Sequence, residues 1–146
     1  MEGAEWRADR IEARAVKRLV VKKSGIHGKG CFAVVTLPAR KKVGEFAGER
    51  ISNREAARRV AQGGAVKICE VDDSWSIDAS RSRDATAFIN HSCAPNCFSR
   101  ITRGRLLFFA LREIRADEEL TLDYTPSQHP GLPCTCGSAN CSGVMT

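Results

Sequence analysis

Aromatic residues make up only 6% of this 146-residue chain, and a single tyrosine, Tyr124, stands among them. Chemistry that needs a phenol therefore has one place to reside. No apolar run approaches the roughly 18 residues that cross a bilayer as a helix, and charged residues, 27% of the total, are spread along the chain. The chain reads as soluble, with no membrane partner expected. Internal repeats and low-complexity linkers are missing, and the length predicts one domain able to bury its own core. An even cysteine count is missing too: there are seven, and no charged-then-apolar leader precedes them. That argues against a secreted disulfide scaffold and for reduced thiols, some metal-binding, in an intracellular setting such as cytoplasm, nucleoid or nucleus.

A formal net charge of +6 and a pI near 9.1 suit an anionic partner, nucleic acid included. Local acid runs against this: Glu70, Asp72 and Asp73 form one cluster, and Asp117, Glu118 and Glu119 another. Each reads either as an acidic groove for a basic partner or as a solvated surface run.

Periodicity divides the chain into short pieces. Trp6, Ile11, Ala15 and Leu19 recur at helical spacing and predict an amphipathic leading helix over residues 1–18. Short strands are expected at 19–21, 30–35 and 42–46, the first two flanking a glycine-bearing turn. Ser52 or Asn53 caps a helix that runs to about Gln62 and stops at Gly63-Gly64. A hairpin of 67–71 with 75–78 turns at Asp72-Asp73, and strands at 106–111 and 120–122 complete a mainly β domain with short helices.

Three thiols in Cys134-x-Cys136-x4-Cys141 are one short of a tetrahedral four-thiolate zinc site. Either Cys93 or Cys97 could complete it, whereas Cys31 and Cys69 read as buried apolar residues within strands. The turn His27-Gly28-Lys29-Gly30 lacks the pattern of a phosphate loop and alone signals only a turn.

Taken together, Phe88-Ile89-Asn90-His91-Ser92-Cys93-Ala94-Pro95-Asn96-Cys97, Glu119-Leu120-Thr121-Leu122-Asp123-Tyr124 and the terminal cysteines resemble the signature of SET-domain protein-lysine methyltransferases. Ile26 to Ala33 and Gly44 to Glu49 extend the resemblance into the first half. It implies a fold of small curved sheets with a knot-like C-terminal crossing, a SET domain over 19–126 and a post-SET zinc-binding tail over 127–146. The implied activity is methyl transfer from S-adenosylmethionine to a lysine amine of a protein, such as a histone or another basic protein.

The resemblance further implies cofactor contacts at His27, Lys29, Gly30, Asn90, His91 and Thr135. Tyr124 becomes the catalytic phenol, and zinc falls to Cys93, Cys134, Cys136 and Cys141. Four positions depart from the family pattern. Phe46 stands for a second active-site tyrosine, Lys67 for an aromatic lining the cofactor site, Ala87 for an arginine, and Leu122 for a Phe or Tyr two positions before Tyr124. The first three of these favour a rival reading, a cofactor- or partner-binding module without catalysis; the net charge favours another, a nucleic-acid-associated adaptor.

Overall fold

The computed structural model describes residues 17–64, 66–124 and 134–144. In chain order the described strands are β1 (Leu19–Lys23), β2 (Lys29–Ala33), β3 (Lys42–Glu45), β4 (Glu49–Ser52), β5 (Ile68–Glu70), β6 (Trp75–Asp78), β7 (Asn90–His91), β8 (Cys97–Thr102), β9 (Arg105–Ala110) and β10 (Thr121–Leu122). Among the described residues one α-helix, α1 (Asn53–Ala61), lies between β4 and β5. The expected leading helix and the expected boundary near 126 lie outside the described residues, apart from positions 17 and 18.

β1 and β2 pair antiparallel, with Leu19 opposite Ala33 and Lys23 opposite Lys29. Their connection needs one left-handed residue, which Gly28 supplies at a φ of 47° without a Cβ penalty. The turn is closed by the Ser24 N–H donating to the Gly28 carbonyl at 2.7 Å and by the Ile26 N–H donating to Ser24 Oγ at 2.9 Å. Two three-stranded sheets follow, ordered β3-β9-β8 and β4-β6-β5. The β5–β6 turn forms where Asp72 Oδ1 accepts from the N–H groups of Ser74 and Trp75, at 2.8 and 2.9 Å. That local bonding accounts for one member of the first acidic cluster without a partner.

Ser52 caps α1, its hydroxyl accepting from the Glu55 N–H at 3.1 Å. The helix is pinned to the sheet by Arg59, which reaches Glu55 at 2.8 Å, Glu49 at 2.9 Å and Asp78 at 2.7 Å. Beneath the sheets Cys31, Ala33, Leu37, Phe108, Ala110, Ile114 and Leu120 form the centre of the main core. Leu37, Ile114 and Leu120 are fully buried, and each such side chain contributes on the order of 1.5–3 kcal/mol through removal from water.

Three strands were not expected from periodicity. β8 presents Ser99, Arg100 and Thr102 to solvent and derives its pairing from β9, a tertiary partner that outweighs its polar composition. β4 has Ile51 as its one apolar side chain, and β7 is two residues long, so neither carries an apolar pattern. Yet β7 matters most, because it pairs in parallel with β10: Asn90 lies beside Thr121 and His91 beside Leu122. Asn96, only 5% exposed, reinforces that junction by accepting from the Thr121 N–H and donating to the Glu119 carbonyl, both at 2.8 Å.

Candidate active site and metal centre

The β7–β10 pairing sets the segments ending in Asn90-His91 and in Tyr124 side by side. From this junction Asn90 reaches the glycine-bearing turn: its Nδ2 donates to the carbonyls of His27 at 3.1 Å and Lys29 at 3.0 Å, and to Glu119 Oε2 at 3.0 Å. Glu119 in turn accepts from Ser24 Oγ at 2.7 Å. One carboxylate therefore holds a turn some ninety residues earlier in the chain against the Asn-His strand. Sequence reasoning read Glu119 as part of an acid cluster, groove or solvated surface, and of a family motif, without a role as a brace, and missed Ser24 altogether. No local signal in the sequence marked this contact, since its partners lie 95 residues apart.

His27 and Lys29 are exposed on this turn, while Gly30 is buried beneath it. Thr135 Oγ1 donates to the Ile26 carbonyl at 2.8 Å, fastening the tail segment 134–144 to the same turn. All six residues carried over as cofactor contacts thus belong to one connected region. Lys67 belongs there too: its ammonium lies 3.3 Å from the Phe88 ring centroid, and its pKa is lowered by burial and then by Lys29.

Tyr124 leaves 42% of its surface exposed, but its hydroxyl donates to the Ile89 carbonyl. Burial of that end, with the charges of Glu119 and Cys69, pushes the phenol up to about 12. It stays protonated at neutral pH and can donate, not act as a base. Cys69 corrects the expectation of a fully buried residue: it is half-buried at the middle of β5 and packs against the edge of the main core. Phe46 packs edge-on against Phe108 at 6.2 Å, and Leu122 is buried in the main core.

The sulfurs of Cys93, Cys134, Cys136 and Cys141 all lie within 4.8 Å of one another. Tetrahedral zinc at about 2.3 Å from each sulfur would set them about 3.8 Å apart, and Cys93 and Cys134 are separated by 3.9 Å. The donor set and its size fit the metal. Burial opposes ionisation of Cys136, but N–H and hydroxyl donors from Cys93 and Ser138 outweigh it and lower the thiol to about 5. The N–H of Cys136 favours the Cys134 thiolate, yet burial and hydrogen bonds with the other three cysteines push Cys134 up to about 12. Without a cation the cluster cannot hold all four as thiolates, because like charges at this spacing disfavour one another. Cys97, the other candidate for fourth ligand, sits in the core opposite Ala110 and is only 1% exposed.

A cleft of about 770 Å³ also opens beside α1, lined in part by Glu49, Arg59, Asp78 and Ser80. The described residues lining it include none of the candidate catalytic, cofactor or zinc residues, and Arg59 is spent on its three carboxylates.

The SET domain family profile matches residues 28–125, two thirds of the chain and every described strand except β1. The chain belongs to the SET-domain family. It is 36% identical over 142 residues to a histone-lysine N-methyltransferase, H3 lysine-4 specific, of Saccharomyces cerevisiae, covering 88% of this chain and 13% of that protein. The protein of the same description from Schizosaccharomyces pombe is 36% identical over 149 residues, covering 95% of this chain and 16% of the relative. Histone-lysine N-methyltransferase trithorax of Drosophila virilis is 37% identical over 128 residues, covering 82% of this chain and 3% of its own length. The chain thus spans a small part of the length of these relatives.

Proposed function

We propose that this chain is a protein-lysine N-methyltransferase that uses S-adenosylmethionine and takes a histone or a similarly basic protein as substrate. The observation that carries this reading is the parallel β7–β10 pairing, which gathers Asn90, His91 and Tyr124 beside the four-cysteine cluster. S-adenosylmethionine, when bound, supplies a methyl group on a cationic sulfonium. His27, Lys29, Gly30, Asn90, His91 and Thr135 would form its surroundings, and zinc on Cys93, Cys134, Cys136 and Cys141 would fix the tail as a wall of the site. The domain limits inferred above, 19–126 and 127–146, follow the same reading.

The protein's part in methyl transfer is alignment, with the acceptor lysine held neutral and in line. Tyr124 offers a protonated hydroxyl, and the Ile89 carbonyl beside it offers an acceptor for an amine proton. A desolvated lysine amine near Lys67 and Lys29 is disfavoured as an ammonium, since burial and like charge act in the same direction. Transfer would require the acceptor's lone pair to be free and its surplus proton to be lost to solvent, so what these residues supply is a neutral, aligned amine. Leu122 has no hydroxyl to hold a water against the acceptor, which favours di- or trimethyl product.

The test is transfer of labelled methyl groups to purified histones, followed by mass spectrometry of the modified residue. Lysine methylation beyond the monomethyl state, absent when Tyr124 is replaced by Phe, supports the reading. Cofactor binding without transfer to any basic protein would favour the binding-module alternative, and product that stops at monomethyl would remove Leu122 from the argument.

A further inference from the structure

The His91 imidazole, 11% exposed, lies between the two halves of the site. Its Nδ1 receives the Tyr124 N–H at 3.0 Å, and its Nε2 lies 3.4 Å from Cys93 Sγ. A backbone N–H can only donate, so Nδ1 must present its lone pair. The ring proton then resides on Nε2, where it points at the sulfur. Asp123 Oδ1, 3.9 Å from Nδ1, is too distant to compete with the Tyr124 N–H for that nitrogen. The ring also stands 5.5 Å from the Tyr124 ring at an interplanar angle of 59°. Both nitrogens are committed, and neither is left for a ligand.

We propose that His91 is a positioning residue that couples the cysteine cluster to the catalytic strand, through a fixed Nε2–H tautomer bridging Cys93 Sγ and the Tyr124 main chain. The inference rests on the assignment of Cys93 to zinc and of Tyr124 to the reaction, and adds a physical connection between them. A thiolate is a stronger acceptor than a thiol, and donation to a metal ligand from outside its coordination sphere orients that ligand and adjusts its basicity. With Cys93 held in place as a ligand, its sulfur would fix the Nε2 side of the ring and thereby hold Nδ1 under the Tyr124 N–H. The tail cluster then does more than wall the site: it sets the backbone from which the phenol projects.

The two bonds can be separated. An asparagine amide oxygen can take the place of Nδ1 but offers nothing at Nε2, whereas a glutamine amide nitrogen reaches the Nε2 position and leaves Nδ1 empty. In the zinc-loaded full chain, His91→Asn should lower zinc affinity about 10- to 100-fold, the usual effect of losing such a partner, while Tyr124 amide exchange stays slow. His91→Gln should leave zinc affinity near that of the native chain and speed Tyr124 amide exchange about tenfold, the weight of one net hydrogen bond. In the native chain, nitrogen NMR of labelled histidine should show the proton on Nε2, and removing zinc with a chelator should speed Tyr124 exchange. A proton on Nδ1, or Tyr124 exchange indifferent to zinc, overturns the proposal even if the variants do not fold. None of these measurements needs methyl transfer: slow Tyr124 exchange that depends on zinc in a chain without activity would leave the coupling standing and defeat the functional reading alone.

Discussion

The carboxylate of Glu119 fills the space that a side chain at position 30 would need: a Cβ on Gly30 would lie 2.5 Å from Glu119 Oε2 and 2.8 Å from its Cδ. Usually the end of a glutamate can swing aside. Here Ser24 and Asn90 hold it. Gly30→Ala should therefore cost roughly 1–3 kcal/mol, as overpacking does, and loosen the turn bearing His27 and Lys29. Chemical denaturation of the single variants and of Gly30→Ala/Glu119→Ala checks this. The double variant should be more stable than the two single losses added together, and strict additivity would show that the carboxylate is not the obstacle.

Zinc content should be about one per chain, as four thiolates imply. Cys136→Ser should release the metal and weaken cofactor binding with it, because Thr135 ties the same segment to the Ile26 carbonyl. Cys97→Ala should keep the metal and cost only stability, since that thiol is a core side chain. Elemental analysis of the three proteins decides the matter. Metal lost from the Cys97 variant would move the fourth ligand away from Cys93.

Replacing Tyr124 by Phe should retain the fold and most cofactor affinity while lowering turnover about 10²-fold, the scale of a lost alignment. Because burial, Glu119 and Cys69 push this phenol up to about 12, its ionisation should not enter the pH–rate profile below about pH 11. Rates with the two proteins across that range are the measurement. A limb near pH 10 that vanishes in the Phe variant would show an ionising phenol and contradict the donor role.

Acid should weaken the attachment of α1. Hydrogen bonds from Arg58 and then Arg59 lower the Glu55 carboxyl from 4.5 to about 2. At Asp78 burial opposes ionisation, but Ser80 and Arg59 outweigh it and the net shift is also downward. A carboxyl lowered by folding binds fewer protons folded than unfolded. Its contribution is complete above the unfolded value and is lost as pH falls through the folded one. As pH is lowered from about 5 to about 2 the urea midpoint should fall, and Arg59→Met should flatten that fall. An equal slope in both proteins would assign the acid sensitivity elsewhere.

The positions of β1, β2, β3, β5, β6, β9 and α1 were legible in the sequence because apolar spacing, turn residues and a serine cap specify them locally. The Cys134, Cys136 and Cys141 trio was legible for the same reason: its spacing lies within one loop. β8 was not, since Arg100 and Thr102 enter a strand only because β9 lies beside them. Cys69 was read as core because a free cysteine within a strand is usually a buried apolar residue. Exposure, however, is set by what packs on β5 and not by β5 itself.

By itself the sequence determined the chemistry available: one phenol, one cysteine-rich tail, one Asn-His pair and a glycine turn in a fixed order. Tertiary structure decided which of these meet. Cys93 and not Cys97 joins the terminal thiols because β8 carries Cys97 into the core while Cys93 remains in the loop before it. Glu119 became a brace for the turn, and His91 a bridge from sulfur to backbone, only through contacts spanning 95 and 33 residues of chain. Local pattern cannot encode such contacts, because they form only where the parallel alignment of β7 with β10 brings distant segments within hydrogen-bond reach.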